Sequence, residues 1–140
     1  VAAKYYVGFV DGEAVCHMAT SPRLEIGGIR ACRMVVMPEW QGAGVGMKFL
    51  NEVCRLQFTE ANQYHERTKA VYFHTSHPGL CAALRRDRRW VQVSQMMGGG
   101  NKGKSGARIK KSGKGVVSST GYGGHHRAVQ GFKMQRALAV

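Results

Sequence analysis

One stretch constrains this chain more than any other: Arg33-Met34-Val35-Val36-Met37-Pro38-Glu39-Trp40-Gln41-Gly42-Ala43-Gly44-Val45-Gly46. Met34 to Met37 is an unbroken apolar run of the kind that suits a strand covered on both faces. Pro38 has no N–H to donate, so the ladder stops there. From Met47 the apolar residues recur at helical spacing, at Leu50, Val53 and Cys54, with Lys48, Glu52 and Arg55 on the other face. Gly42, Gly44 and Gly46 let the backbone approach a ligand closely, and the first helical turn leaves N–H groups unpaired. The helix dipole adds partial positive charge, so this strand–turn–helix unit suits a phosphate or pyrophosphate.

The spacing selects among phosphate binders. A P-loop needs Lys-Ser/Thr after its last glycine, and Val45-Gly46-Met47 stands here instead. A dinucleotide fingerprint needs two residues before its third glycine, and here there is one. Alternating glycines by themselves also fit a plain tight turn. With the strand, Pro38 and Gln41 in front, the pattern resembles the Gln/Arg-x-x-Gly-x-Gly/Ala motif of the GNAT acyltransferases, with Gln41, Gly44 and Gly46 at its defining positions. The resemblance implies acetyl-coenzyme A or another acyl-coenzyme A as cofactor. Its pyrophosphate would lie on backbone N–H groups of Gly42, Ala43, Gly44, Val45 and Gly46, with Gln41 also at the cofactor site, and its thioester against Val35, Val36 and Met37.

Composition sets outer limits. With 140 residues and 44% hydrophobic content, the chain is long enough for a single domain with a real core. No apolar run approaches the ~20 residues of a membrane span, and no signal peptide is evident, so a cytoplasmic location and no membrane partner are expected. Cys16, Cys32, Cys54 and Cys81 are widely spaced in apolar contexts and read as free thiols; no metal site is expected. The net charge of +13 is segregated: residues 1–87 carry +2, and residues 88–140 carry eleven Lys/Arg and no acid. That asymmetry points to a polyanionic partner.

Along the chain, Lys4 to Val10 and Glu13 to Ala19 read as a hairpin about Asp11-Gly12, and Ser21 to Gly28 as a loop. Ile29 to Met37 is a strand, Gly44 to His65 a helix, and Ala70 to Thr75 a strand. Ser76 is placed to cap a short helix reaching about Arg86, followed by a strand from Trp90 to Met96. Residues 98–125 form a Gly/Lys-rich basic segment, and 126–140 a possible final strand and tail. This order over residues 1–97 is the central and C-terminal order of a GNAT domain. It implies a mixed α/β fold, a central mixed sheet flanked by helices with a basic C-terminal extension. The family's first strand and its helices have no counterpart here and read as missing.

The chemistry departs from the family pattern. The tyrosine that many GNAT enzymes use to protonate the thiolate falls at Arg85, and the glycine before the last strand at Arg89. The strand and glycine turn, then Thr75-Ser76-His77-Pro78-Gly79-Leu80, then the basic tail, are similar to a phage and mobile-element branch resembling Mom-type DNA modification proteins. That likeness implies a bacterial-host, phage-type enzyme acting on a DNA base. His74, Ser76 and His77 cluster where the strand should open beside the thioester, and are the first candidates for acid–base work. His17 is a weaker candidate, and Cys16 and Cys32 lack a local activating pattern. For contacts to nucleic acid, with DNA favoured, the candidates are Arg85, Arg86, Arg88, Arg89, Lys102, Lys104, Arg108, Lys110, Lys111 and Lys114. The sequence therefore leads to an acyl-coenzyme A-dependent transferase modifying nucleic acid. The alternatives are an N-acetyltransferase for a protein or small-molecule amine, or a non-catalytic nucleic-acid-binding module on this fold.

Overall fold

The computed structural model describes residues 3–23, 25, 27–59, 70–96 and 128–139. Their order is β1 (Lys4–Val10), β2 (Glu13–Arg23), β3 (Gly28–Val36), a 3-10 turn (Pro38–Trp40), α1 (Val45–Leu56), β4 (Ala70–Thr75), α2 (Pro78–Arg86), β5 (Trp90–Met96), β6 (Val129–Met134) and a last turn of helix, α3 (Arg136–Ala139). The six strands form one sheet in the order β1-β2-β3-β4-β6-β5. Only β3 and β4 run parallel; the other neighbours are antiparallel. A parallel pair needs a crossover, and α1 lies in that connection.

Asp11 and Gly12 both take positive φ, as a two-residue hairpin requires, and join β1 to β2. Strand β2 is longer than the sequence suggests and absorbs the expected loop as far as Arg23. Pro22 is accommodated because β1 pairs no further than Thr20, leaving β2 an edge on that side.

Alternation along the strands sends Met18, Ala31, Val71, Phe73, Phe132 and Met134 into one core with Leu50, Val53 and Cys54 of α1 and Cys81 and Leu84 of α2. Trp90 closes it edge-on to Phe73, with centroids 6.5 Å apart. The opposite face of the sheet keeps Tyr5, Val7, Phe9 and Val35 exposed.

Helix α1 ends at Leu56, earlier than the apolar spacing predicts. The buried Gln57 side chain donates to the Val53 carbonyl at 2.8 Å and to the Tyr6 hydroxyl at 3.0 Å, and Thr59 Oγ1 donates to the Leu56 carbonyl. Side chains thus satisfy carbonyls that another turn of helix would use. Residues 57–59 are turn and bend, while residues 60–65 of the expected helix and the whole 98–125 segment lie outside the described residues.

Candidate active site

The site is built on a fork in the sheet. Strands β3 and β4 pair only from Gly28 opposite Ala70 to Ala31 opposite Phe73. Beyond that, β3 continues to Val36 on β2, and β4 continues to Thr75 on β6. A bulge turns β3 away. Between Cys32, opposite Ala19, and Val35, opposite His17, β3 has one residue more than β2. Arg33 takes up the extra length at φ 53°, in the left-handed region. An added residue bends and twists its strand, which here opens the gap. The expectation that Met34–Met37 is covered on both faces fails for this reason: Val35 is 54% and Met37 44% exposed.

The glycine turn sits at the head of the fork. Gly42 and Gly44 have φ of 82° and 79°, and a Cβ on either would meet nothing within 4 Å. Their role is conformational. Gly46 differs, since a Cβ there would lie 3.1 Å from Val36 Cγ2, a tight contact between α1 and β3. The helical ladder starts with Lys48 N–H donating to the Gly44 carbonyl. Among the described residues the N–H groups of Gly42 to Met47 have no acceptor. Gln41 donates its side-chain amide to the Val36 carbonyl at 2.9 Å, tying the turn to the end of β3. The result is a row of unused donors at a helix N-terminus, beside an open sheet cleft.

The structure separates the three catalytic candidates. His74 points to the face opposite α1 and lies against Gly131 of β6, where a Cβ would come within 2.9 Å of its Cδ2 and Nε2 and would overlap Ser94 Oγ. Its Nδ1 is buried without a partner among the described residues. Burial, then the positive charges of Arg30 and Arg23, holds its pKa below the ordinary imidazole value. A neutral imidazole at the mouth of the cleft can accept a proton. His77 instead caps α2: its Nδ1 accepts from Leu80 N–H at 3.2 Å, while its own N–H donates to Thr75 Oγ1. The cap expected at Ser76 is therefore one residue later. A histidine can replace the usual Asn, Asp or Ser because Nδ1 supplies the same acceptor.

Of the expected arginine cluster, Arg85 donates to the side-chain oxygens of Gln92 and Gln130. Arg89 forms an ion pair with Asp87. Arg86 and Arg88 are exposed. Lys102, Lys104, Arg108, Lys110, Lys111 and Lys114 lie outside the described residues. The Asp87 side chain also accepts from Asn51 at 3.0 Å, and Asn51 accepts from Trp90 Nε1 at 2.7 Å. No sequence pattern marks this network, because its members are 36 and 39 positions apart. Cys16, Cys54 and Cys81 are buried and Cys32 half-buried, all as free thiols; burial pushes the Cys16 and Cys54 pKa values up, away from a nucleophilic thiolate. Among the described residues, no three His, Cys, Asp or Glu group together to hold a metal, and no helix is long and apolar enough to cross a membrane.

Solved structures share this fold. A chimera of the spermidine N-acetyltransferase SpeG from Vibrio cholerae with hSSAT superimposes with a TM-score of 0.64 at 13% identity, over 99% of this chain and 71% of that one. An IAA acetyltransferase from Bacillus cereus gives 0.60 at 14% identity, over 93% and 75%. The fold is the GNAT fold. No protein-family model and no curated protein matches the chain by sequence.

Proposed function

We propose that the chain is an acyl-coenzyme A-dependent acyltransferase acting on an amine nitrogen. The observation that carries this reading is the juxtaposition of the β3–β4 fork with the unused N–H groups of Gly42 to Met47. Those groups suit the pyrophosphate, and the cleft edge at Val35 to Met37 suits the pantetheine arm and thioester. Backbone N–H groups left unpaired by the fork would polarise the acyl carbonyl. His74 is the proposed base: it would take the proton from the attacking amine as the N–C bond forms and the C–S bond breaks. The thiolate would leave with a proton from solvent, since Arg85 holds the position where a tyrosine acid is common. The likeness to the spermidine and IAA acetyltransferases supports N-acetyl transfer in outline.

For the acceptor, the charge of residues 88–140 supports nucleic acid, with a DNA base as the substrate the sequence favours. A small-molecule amine is the second reading, supported by the substrate named for the spermidine enzymes. Calorimetry with acetyl-coenzyme A tests the donor: binding is expected in the full chain and lost in Gly44→Glu, which strains a positive φ and places an anion on the phosphate site. An intact chain that ignores acetyl-coenzyme A rejects the enzyme reading. Mass spectrometry of nucleosides from DNA of expressing cells, alongside an amine panel, decides between the acceptors.

A further inference from the structure

The sheet face turned away from α1 and α2 carries a cluster that binding of the donor does not use. Tyr72 is at its centre. Arg30 of β3 and Lys133 of β6 are its direct neighbours in register. Arg23 at the end of β2 holds its guanidinium 5.9 Å from the ring centroid. His74 follows two residues along the same strand and so lies on the same face, at the fork. The two ion pairs among the described residues, Arg55 with Glu52 and Arg89 with Asp87, both lie on the helical side. Arg23, Arg30 and Lys133 therefore have no carboxylate partner among the described residues, though Arg30 and Lys133 are exposed and Arg23 half-exposed. Three cations on one face, one beside the Tyr72 ring and two on its register neighbours, repel one another, and an anion between them turns that repulsion into attraction. The arginines offer forked donors that match a phosphate or carboxylate.

We infer that this cluster is an acceptor subsite for an anionic group, phosphate or carboxylate, carried by the amine substrate. It deepens the acyltransferase reading and rests on it for the role of His74. Two residues of strand separate Tyr72 from His74, so the substrate should hold its anion roughly 7 Å from its reactive nitrogen. A polyamine, cationic along its length, meets only repulsion here. The subsite lies on the face opposite the helix whose N-terminus takes the pyrophosphate, so donor and acceptor approach the fork from different sides.

The test is calorimetric titration of the full chain with 4-aminobutyl phosphate, 4-aminobutanoate and spermidine, with and without coenzyme A. At least one anionic amine is expected to bind about tenfold or more tightly than spermidine, a difference readily resolved. Arg23→Gln and Arg30→Gln should each weaken that binding about fivefold or more and leave coenzyme A binding as it was. Arg136→Gln, which removes the same charge from α3, should not alter the preference. Spermidine binding as well as the anionic amines overturns the inference, and so does anion binding indifferent to Arg23 and Arg30. A short single-stranded DNA bound in an Arg30-dependent way assigns the anion to a nucleic-acid phosphate; preference for 4-aminobutanoate assigns it to a carboxylate. Anionic amines bound by a chain that ignores coenzyme A would reject the donor reading alone. Coenzyme A bound without anion preference would reject the subsite alone.

Discussion

His74 and Gly131 show how single residues set the site. The imidazole lies where β6 presents no side chain, because any Cβ at Gly131 would collide with it and with Ser94. Gly131→Ala is expected to cost about 1–3 kcal/mol of stability by overpacking, read from urea denaturation, and to displace the imidazole. The same setting makes His74 sensitive to pH. Burial and the Arg30 and Arg23 charges lower its folded-state pKa, so the unfolded chain binds the proton more readily. The contribution is complete above the ordinary histidine pKa of 6.5 and is lost as pH falls through that value towards the lower folded one. The charged groups that act on His74 are Arg30 and Arg23, and Ser94 lies beside it across Gly131. Wild type should therefore lose more stability between pH 7 and pH 5 than His74→Gln, and identical pH profiles would contradict this account. The acid limb of kcat/KM should correspondingly lie below 6.5.

Two elements, α1 and the α2–β5 turn, are joined by one polar chain. Trp90 donates to Asn51, Asn51 donates to Asp87, and Asp87 holds the Arg89 guanidinium and backbone N–H. Asn51→Ala leaves a buried indole N–H unpaired and should destabilise the fold by about 1–3 kcal/mol in chemical denaturation. The Arg89 hydrogen bonds hold the Asp87 pKa below its ordinary 3.8 despite partial burial. Its contribution is thus present above 3.8 and lost only as pH falls through the lower folded value. Acid unfolding of Asp87→Asn should show a shallower loss across that window. At the other end of α1, Gly46→Val would press against Val36, which also helps form the fork. Acetyl-coenzyme A affinity should fall with little change in far-UV dichroism.

For the molecule as a whole, charge and topology have separate consequences. The fork, the start of α1 and the placement of residues around Tyr72 depend on strand order. Contacts made by the basic extension would depend on charge. If Lys102, Lys104, Arg108, Lys110, Lys111 and Lys114 each met a phosphate, DNA affinity would fall with salt at a log–log slope of about −5. A slope near zero in a filter-binding titration would separate nucleic-acid binding from these residues.

The hydrophobic spacing and turn residues of the chain already determined its strands, the crossover helix and the glycine turn, because those signals are local and periodic. The Asp11-Gly12 hairpin and the end of β3 before Pro38 were legible for the same reason. The short α1 was not, because its end is fixed by Gln57 reaching Tyr6, 51 positions away. Nor was the bulge at Arg33, since nothing in the local sequence demands a positive φ from an arginine. His74 and His77 stand three positions apart, and nothing in the sequence assigns them different roles. Tertiary structure made one a helix cap and buried the other against a glycine more than fifty positions away. Sequence fixes periodicity, which specifies elements; only packing brings distant side chains together, and the chemistry of this site depends on those meetings.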